Sequence, residues 1–373
     1  MGQRIQCIGI NELLLADLAR ELNIKKYFLV CGTSFYGLKA AMALSKCGVS
    51  YEAFSDFTPN PVYGDVCKGV QCFLNSGCDA ILAIGGGSAI DVAKCISIFS
   101  ELPQEQDFLQ QEYRPRKVPL IAVPTTAGTG SESTGFAVIY RNGEKISVTS
   151  DFILPDVALL DSSLLFNLPD YYKKSAMMDA LCQALESWWS VKSTRESIGF
   201  ARQAVQLIRD YGTAYLEGNE TAAEKVLKAA NLAGHAIHIT QTTAPHAMSY
   251  KMTTLYGLAH GHAVALGFSE VWKYMQDHLS DCIDKRGQDY LMQVFQDMAV
   301  CMGYENAWMA AEGFAHSLKQ LELLPPQTCK EEQLSVLVNS VNVERMQNNP
   351  VWIGKDWIKQ IYYNILFKSQ KEL

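Results

Sequence analysis

An alternation of short apolar runs with helical patterns over residues 11–161 constrains the fold more than any other feature. Apolar runs at residues 27–32, 79–84 and 118–123 are typical of buried strands. Segments with Leu and Ala at helical spacing lie between them. This rhythm predicts a parallel sheet with helices on its faces, whose ligands bind beyond the carboxyl ends of the strands. We therefore expect an α/β, Rossmann-like domain.

The pattern changes after residue 168, where long helical stretches replace the strands. The sequence thus predicts two domains, an α/β domain at residues 1–168 and an all-helical domain at residues 169–373. In the first, Asn142-Gly143 is a predicted hairpin turn. Further strands are predicted at residues 49–54, 136–140, 145–150 and 156–161, and helices at residues 11–23, 36–45, 61–77 and after Ser88.

The run Gly85-Gly86-Gly87-Ser88 stands between the strand at residues 79–84 and a helical segment. Glycines let a backbone approach a ligand closely and adopt positive φ, and the amides at a helix N-terminus attract phosphate. A tight strand-to-helix turn also needs glycine, so the run leaves both interpretations open. It matches neither GxGxxG nor a Walker A loop.

A second loop, PTTAGTGSEST at residues 124–134, follows the strand at residues 118–123. Its hydroxyl groups and glycines offer many donors and little bulk, which suits a polar ligand, although a solvated loop has a similar composition. Because both loops follow buried strands, we expect them at the same edge of a parallel sheet.

Composition and charge argue against several classes of function. Apolar residues make up 48% of the chain and charged residues 19%, as in an ordinary globular protein. The net charge of -7 argues against a protein that binds nucleic acid or a membrane surface. Eleven cysteines, an odd number without a CxxC pair, indicate free thiols in a reducing compartment. Because we find neither a signal-peptide pattern nor an apolar run near the ~20 residues of a membrane span, we expect a cytoplasmic location.

Five of the seven histidines fall between His235 and His262. Histidine is the commonest metal ligand, so the cluster suggests a metal site, although core or surface histidines without a ligand are the alternative. His246 and His260 are about 21 Å apart if one helix continues through both, too far to share an ion. A shared ion therefore requires the chain to turn between them, and Gly257 offers the break.

Asp179 and Gln183 lie four residues apart on a predicted helix and share one face. Together with His246 and His260 they would form a four-ligand oxygen and nitrogen site for a first-row divalent metal. Alternatively, Asp179 is favoured near a helix N-terminus by the dipole, and Gln183 is an ordinary exposed or hydrogen-bonded helix residue.

Four motifs occur in the order GGGSAIDVAK, PTTAGTGSE, DALCQALES and HAMSY with HGHAV. The ordered set resembles the iron-containing (group III) alcohol dehydrogenase family over nearly the whole chain. The resemblance implies an NAD(P)-dependent alcohol dehydrogenase or aldehyde reductase that acts in the cleft between its domains. Residues 1–168 would bind the dinucleotide, NADP(H) or NAD(H), and residues 169–373 the substrate and a divalent metal, Fe(II) or Zn(II).

The resemblance also implies roles for individual residues. A pyrophosphate-binding turn would be formed by Gly85, Gly86, Gly87, Ser88 and Asp91. The cofactor would be lined toward its nicotinamide by Thr125, Thr126, Thr129 and Ser131, with Lys145 nearby. Three of the family's four metal ligands match Asp179, His246 and His260. In such a site the metal would act as a Lewis acid on the carbonyl oxygen.

The sequence departs from the family at three places. Gln183 replaces a histidine ligand, and Tyr250 replaces a further histidine, where its phenol could still donate a hydrogen bond. Tyr250 and His262 are therefore the predicted proton-relay residues. After the first long strand, Gly32, Thr33 and Ser34 stand where family members that prefer NAD often carry an aspartate. The lack of a carboxylate favours NADPH, with NADH as the alternative.

The segments around Asp179 and His246, together with VNVERMQNNP at residues 341–350, resemble the phosphonoacetaldehyde reductase subgroup. The resemblance implies a small anionic aldehyde as substrate, and we expect a homodimer. Candidate counter-charges are Lys192, Arg195 and Lys251, for which a solvated helix surface is the alternative. Two other functions stay open, a family member that binds nucleotide without turnover and a different nicotinamide-dependent reaction on the same fold.

Overall fold

The structure, a computed structural model, describes residues 3–342 and 346–368. It contains a six-stranded parallel sheet in the order β1-β8-β5-β4-β2-β3, with a separate antiparallel hairpin of β6 and β7. The strands are β1 (Arg4–Cys7), β2 (Lys26–Cys31), β3 (Ser50–Phe54), β4 (Ala80–Gly85), β5 (Leu120–Pro124), β6 (Phe136–Arg141), β7 (Glu144–Thr149) and β8 (Val157–Leu160).

Helices cover the sheet, as the alternating pattern predicts. They are α1 (Glu12–Glu21), α2 (Lys39–Lys46), α3 (Tyr63–Ser76) and α4 (Gly87–Phe99). The central strands are apolar on both faces because separate clusters of buried side chains pack on each, around Phe28 and Ile81 on one and around Leu29 and Leu82 on the other. The α/β prediction is confirmed.

The strand register places the loops that follow β2, β4 and β5 together beyond the carboxyl ends of these strands. Cys31 at the end of β2 pairs with Ile84 of β4, and Gly85 at the end of β4 pairs with Pro124 of β5. From β2 the chain continues to the neighbouring strand β3 on one side, and from β4 it continues to β5 and β8 on the other side. The strand order therefore reverses between β2 and β4. Ligands of open α/β sheets bind at such a switch point.

Local turn chemistry explains the hairpin of β6 and β7. Asn142 and Gly143 have φ of 53° and 79°, the left-handed values that a two-residue hairpin turn requires.

The strand β1 was not predicted from the sequence. Among the described strands it pairs with β8 alone, at the edge of the sheet, and its four residues mix polar and apolar side chains. So short an edge strand carries too little periodicity to be recognised.

The rest of the described chain is mainly helical. Its helices are α5 (Asp170–Trp189), α6 (Arg195–Leu216), α7 (Glu220–Thr240), α8 (Ala244–Tyr256), α9 (His260–Asp277), α10 (Gln288–Met302), α11 (Ala307–Gln320), α12 (Glu332–Asn339) and α13 (Lys355–Tyr363). α5 is buried along most of its length because α6 and α9 pack against it. None of the described helices is long and apolar enough to span a membrane.

The chain divides into two compact units. One comprises residues 1–168 with 218–234, and the other comprises residues 169–217 with 235–373. The break after Leu168 coincides with the point where strands give way to helices, whereas the first part of α7 groups with the sheet. The functional assignment of each domain remains a prediction. Residues 343–345 of the VNVERMQNNP segment lie outside the described residues.

Candidate active site

The sheet unit brings together the three loops predicted to bind the dinucleotide. Gly32, Thr33 and Ser34 follow β2, the glycine run follows β4, and Thr125 and Thr126 follow β5, so the loops leave adjacent strands. α4 begins at Gly87, and the first amides of a helix have no intrahelical partner. An anion beyond β4 would therefore meet free donors and the positive end of the helix dipole.

Positive φ is not the reason for the glycine run, contrary to the prediction. Gly85, Gly86 and Gly87 are absent from the glycines with positive φ, and Gly86 has φ of -73°. Space is the reason, because a Cβ on Gly87 would lie 2.9 Å from Thr129 Cγ2. A Cβ on Gly85 would lie 2.7 Å from Ala89 Cβ, whereas one on Gly86 would lie 3.4 Å from Thr126 Cγ2, an ordinary van der Waals distance, so lack of space explains Gly85 and Gly87. The hydroxyl loop thus packs directly on the glycine run.

Two polar residues of α4 already have protein partners. One carboxylate oxygen of Asp91 accepts a hydrogen bond from Ser131 Oγ, and the other accepts one from the Val138 amide at 2.9 Å. Burial raises the pKa of Asp91, and nearby Lys94 and Lys145 oppose that rise. Ser88 Oγ accepts a hydrogen bond from the Asn60 amide. Asp91 therefore holds the hydroxyl loop, a contact that the sequence pattern did not predict.

In the helical unit the chain turns between the two histidines as predicted. α8 ends at Tyr256 and is capped by Gly257, whose φ of 68° is left-handed, and α9 begins three residues after this glycine, at His260. The ring centroids of His246 and His260 are 5.4 Å apart. Asp179 on α5 completes a group whose ligand atoms all lie within 4.8 Å of one another.

Within the part of the chain that the structure describes, three buried polar atoms at this cluster have no hydrogen-bond partner, namely Asp179 Oδ1, His246 Nε2 and Gln183 Oε1. Asp179 Oδ1 and His246 Nε2 are 3.3 Å apart. Burial raises the pKa of the Asp179 carboxyl, but His246 and His260, with a smaller contribution from the Gln183 side chain, lower it below its ordinary value. Buried polar atoms are rarely left without partners, so this donor set fits a divalent cation.

Glu186 determines which nitrogen of His246 faces this cluster. His246 Nδ1 donates to Glu186 Oε1, and Glu186 Oε2 accepts from the amide and the hydroxyl of Thr243 at 2.7 and 2.8 Å. The arrangement directs Nε2 at the cluster, as carboxylates that orient metal-binding histidines do. Burial lowers the pKa of His246, but Glu186 and Asp179 raise it to about 9. The sequence offered one signal for Glu186, its position on the same helix face as Gln183.

Gly261 sets the separation between α9 and α5. A Cβ at this position would lie 2.1 Å from the Ser175 carbonyl oxygen and 2.6 Å from Asp179 Cβ. Only glycine therefore lets the first turn of α9 approach α5 closely enough to bring His260 beside Asp179.

The two predicted relay residues differ in their surroundings. The Tyr250 ring stacks on His260 at 5.8 Å between centroids with an interplanar angle of 8°. His262 is buried, with Tyr171 Oη 3.1 Å from its Nδ1 and the Leu324 carbonyl oxygen 3.1 Å from its Nε2. Both ring nitrogens of His262 thus have protein partners, which favours a positioning role over proton relay.

The three predicted counter-charges are more dispersed. Lys192 is exposed and donates to Gln241 Oε1 at 2.8 Å. Arg195 is exposed at the start of α6, and Lys251 is half-buried on α8 beside Tyr250. Their role toward a substrate remains a prediction. Of the remaining histidines in the cluster, His235 packs against the Phe200 ring.

Comparison with known proteins identifies the family. Residues 10–162 match the model of the iron-containing alcohol dehydrogenases, and residues 174–366 match the C-terminal model of the Fe-containing alcohol dehydrogenase family. The chain therefore belongs to the iron-containing alcohol dehydrogenase family, and the resemblance inferred from the sequence is confirmed.

Individual relatives include reductases and longer enzymes. The phosphonoacetaldehyde reductase of Streptomyces viridochromogenes is 32% identical over 288 residues, which are 73% of this chain and 72% of that protein. Aldehyde-alcohol dehydrogenase 2 of Entamoeba histolytica is 34% identical over 61% of this chain but only 28% of its own length. The crystal structure of sulfoacetaldehyde reductase from Bifidobacterium kashiwanohense with NAD+ aligns with a TM-score of 0.87 and 26% identity, covering 98% of this chain and 97% of that chain.

We predict that Gly261→Ala disrupts the cluster of Asp179, His246 and His260. The added methyl group would meet the α5 backbone, so α9 must shift and carry His260 away. We expect loss of most bound metal, measured by elemental analysis, and a lower melting temperature. Gly267→Ala on the same helix is the matched control, because its Cβ would come no closer than 4.0 Å to the Pro245 carbonyl oxygen. Full metal content in Gly261→Ala would contradict this account of the site.

Proposed function

We propose that this protein catalyses the NAD(P)H-dependent, metal-assisted reduction of a small anionic aldehyde to an alcohol, or the reverse reaction. One observation carries the proposal: one ligand atom each of Asp179, His246 and His260 lie within 4.8 Å of one another, and among the described residues Asp179 Oδ1, His246 Nε2 and Gln183 Oε1 have no hydrogen-bond partner. Membership of the iron-containing alcohol dehydrogenase family supports it.

Four side chains would hold the metal, Asp179, Gln183, His246 and His260. A divalent cation bound there supplies Lewis acidity toward the carbonyl oxygen of the substrate, and a bound reduced nicotinamide supplies the hydride. Glu186 keeps the Nε2 lone pair of His246 directed at the site. Gly261 keeps His260 within reach of Asp179.

Tyr250 is the proposed proton donor for the alcohol oxygen. Its ring stacks on His260, so its phenol belongs to the same part of the helical unit as the proposed ligands. A phenol donates one hydrogen bond and accepts others, which suits transfer of a proton directly or through water. His262 would instead fix the start of α9, since its ring contacts Tyr171 and the Leu324 carbonyl.

The dinucleotide would bind across the loops that follow β2, β4 and β5. The glycine run and the N-terminus of α4 would receive the pyrophosphate. Thr125, Thr126 and Thr129 would line the path toward the nicotinamide, with Ser131 and Asp91 holding that loop and Lys145 nearby. No carboxylate occupies residues 32–34, which favours NADPH over NADH.

An anionic substrate is proposed from the relatives, because two of them act on aldehydes that carry a phosphonate or a sulfonate, as their names state. Lys251, which lies on α8 with Tyr250, is one candidate for the counter-charge. Lys192 and Arg195 are the further candidates.

A panel of small aldehydes with and without a phosphonate or sulfonate group tests this function. We expect metal-loaded protein to oxidise NADPH with the anionic aldehydes, and His260→Ala to lose both turnover and bound metal. The exposed His316→Ala serves as control and should retain both. Oxidation is followed by the absorbance of the reduced nicotinamide. Dinucleotide binding without turnover on any aldehyde, with Fe(II) or Zn(II) added, would instead support a family member that only binds nucleotide.

We predict that Gly32→Asp shifts cofactor preference from NADPH toward NADH. Gly32 precedes a short 3-10 turn with extended φ and ψ, where aspartate is a favoured cap, and its Cβ would meet only Ser34 Oγ at 4.0 Å. The new carboxylate would repel a 2′-phosphate and accept a hydrogen bond from a 2′-hydroxyl. The ratio of kcat/KM for the two cofactors measures the effect. Gly37→Asp adds the same charge in open space and should leave the ratio unchanged.

We also propose a cytoplasmic homodimer. All eleven cysteines have free thiols, which favours a reducing compartment. β1 lies at the edge of the sheet, and an exposed strand edge offers backbone groups for pairing with another chain. Sedimentation equilibrium on purified protein should give twice the mass of 41.4 kDa, and a monomer at micromolar concentration would refute the dimer. Fractionation of the source cells tests the location.

A further inference from the structure

Lys94 is a fully buried lysine for which the proposed chemistry has no use. It lies on α4, two turns after the glycine run, with 0% of its surface exposed. Lysine is almost never fully buried unless it is paired, so its position calls for a specific set of partners.

Those partners belong to the end of the hydroxyl loop and the strand that follows it. Lys94 Nζ donates to Thr134 Oγ1 at 2.9 Å, to the Phe136 carbonyl oxygen at 2.8 Å and to Ser131 Oγ at 3.2 Å. An ammonium group has three protons, and these three acceptors use all of them.

Asp91, which lies about one turn earlier on α4, forms hydrogen bonds with the same segment. Its two oxygens accept from Ser131 Oγ and from the Val138 amide. Burial lowers the pKa of Lys94 to about 8, although Asp91 and Glu132 oppose that shift. Glu132 is itself buried and accepts from Asn231 Nδ2 at 3.0 Å. Lys94 thus has two buried carboxyl groups, Asp91 and Glu132, near its ammonium inside the unit.

The loop is therefore anchored to α4 at both ends. At its start, Thr126 and Thr129 pack on Gly86 and Gly87, and at its end the ammonium of Lys94 holds Ser131 and Thr134. The helix whose N-terminus would receive the pyrophosphate thus also fixes the loop that would line the nicotinamide half.

We propose that Lys94 is a positioning residue for the dinucleotide, acting through Ser131 and Thr134 to hold the loop at residues 125–134 in its binding conformation. The inference rests on the proposed function, because it requires that this loop contacts the cofactor. Lys94 itself would touch neither cofactor nor substrate. Its contribution is preorganisation, which lowers the cost of ordering the loop upon binding.

The test compares Lys94→Met, Thr134→Val and the double variant with the parent protein. Binding of NADPH is measured by the fluorescence of the nicotinamide, and turnover gives KM and kcat separately. We expect Lys94→Met to weaken dinucleotide binding about tenfold, because the loop loses the charged hydrogen bonds that hold it in its binding conformation. We expect kcat at saturating cofactor to change less than about threefold, because these hydrogen bonds do not take part in the chemical step. Ser97→Ala on α4 removes a hydrogen bond to the Lys94 carbonyl that does not involve the loop, and should leave binding unchanged.

Four outcomes distinguish the possibilities. If the parent protein binds no dinucleotide, the proposed function fails. If the parent binds and both Lys94→Met and Thr134→Val bind equally well, only the present inference fails. If Lys94→Met does not fold, Thr134→Val decides, since it removes one hydroxyl from the same contact; unchanged affinity in that variant overturns the proposal. Where both single variants fold, an additive double variant also overturns it, because residues that act through one contact are expected to be coupled.

Discussion

The arrangement of the helical unit depends on one close contact, which requires either a proton or a metal ion between its two atoms. Glu186 holds the proton of His246 on Nδ1, so the lone pair of Nε2 faces Asp179 Oδ1 across 3.3 Å. Leaving a buried polar atom without a partner costs about 1–3 kcal/mol, and two facing lone pairs add repulsion to that cost. A proton on Nε2 relieves it, which is the physical reason why the carboxylates raise the pKa of His246 to about 9 despite burial. A metal ion would take the place of that proton, so metal binding and proton release are linked.

This contact exists because three helices meet closely at one point. Gly257 reverses the chain between α8 and α9, and Gly261 brings the first turn of α9 against α5. His262, in the same turn, contacts Tyr171 at the start of α5, and its amide donates to Ser175 Oγ at 3.0 Å. These contacts of the first turn of α9 therefore fix the backbone position of His260. Binding of a cation to this preformed set would stabilise the native state by mass action.

Patterns local in sequence predicted a large part of this organisation. The strands that end in glycine and hydroxyl loops, and the need for a turn between His246 and His260, follow from periodicity and helix geometry alone. The roles of Glu186, Lys94 and Gly261 could not be predicted in this way, because each depends on a partner that is distant in sequence: Glu186 on His246, Lys94 on Thr134, and Gly261 on Ser175. The expectation of positive φ in the glycine run was wrong for a related reason. At Gly87 the demand for glycine comes from Thr129, which approaches from another loop, and at Gly85 it comes from Ala89 on α4.

Gln183 changes the chemistry of the proposed metal site without changing its charge. An amide and an imidazole are both neutral, so Asp179 remains the one negative group among the four proposed ligands. The amide oxygen is a harder and weaker donor than an imidazole nitrogen, which gives two oxygen and two nitrogen donors. Oxygen donors suit Zn(II) less well than imidazoles do, so the substitution reduces the advantage of Zn(II) over Fe(II) and lowers affinity for both. The Glu186 carboxylate acts in the opposite direction, because a histidine that donates to a carboxylate is a more basic ligand. Gln183 weakens the set of ligands, whereas Glu186 makes His246 a stronger ligand. These two opposing effects determine how firmly the site would hold its ion.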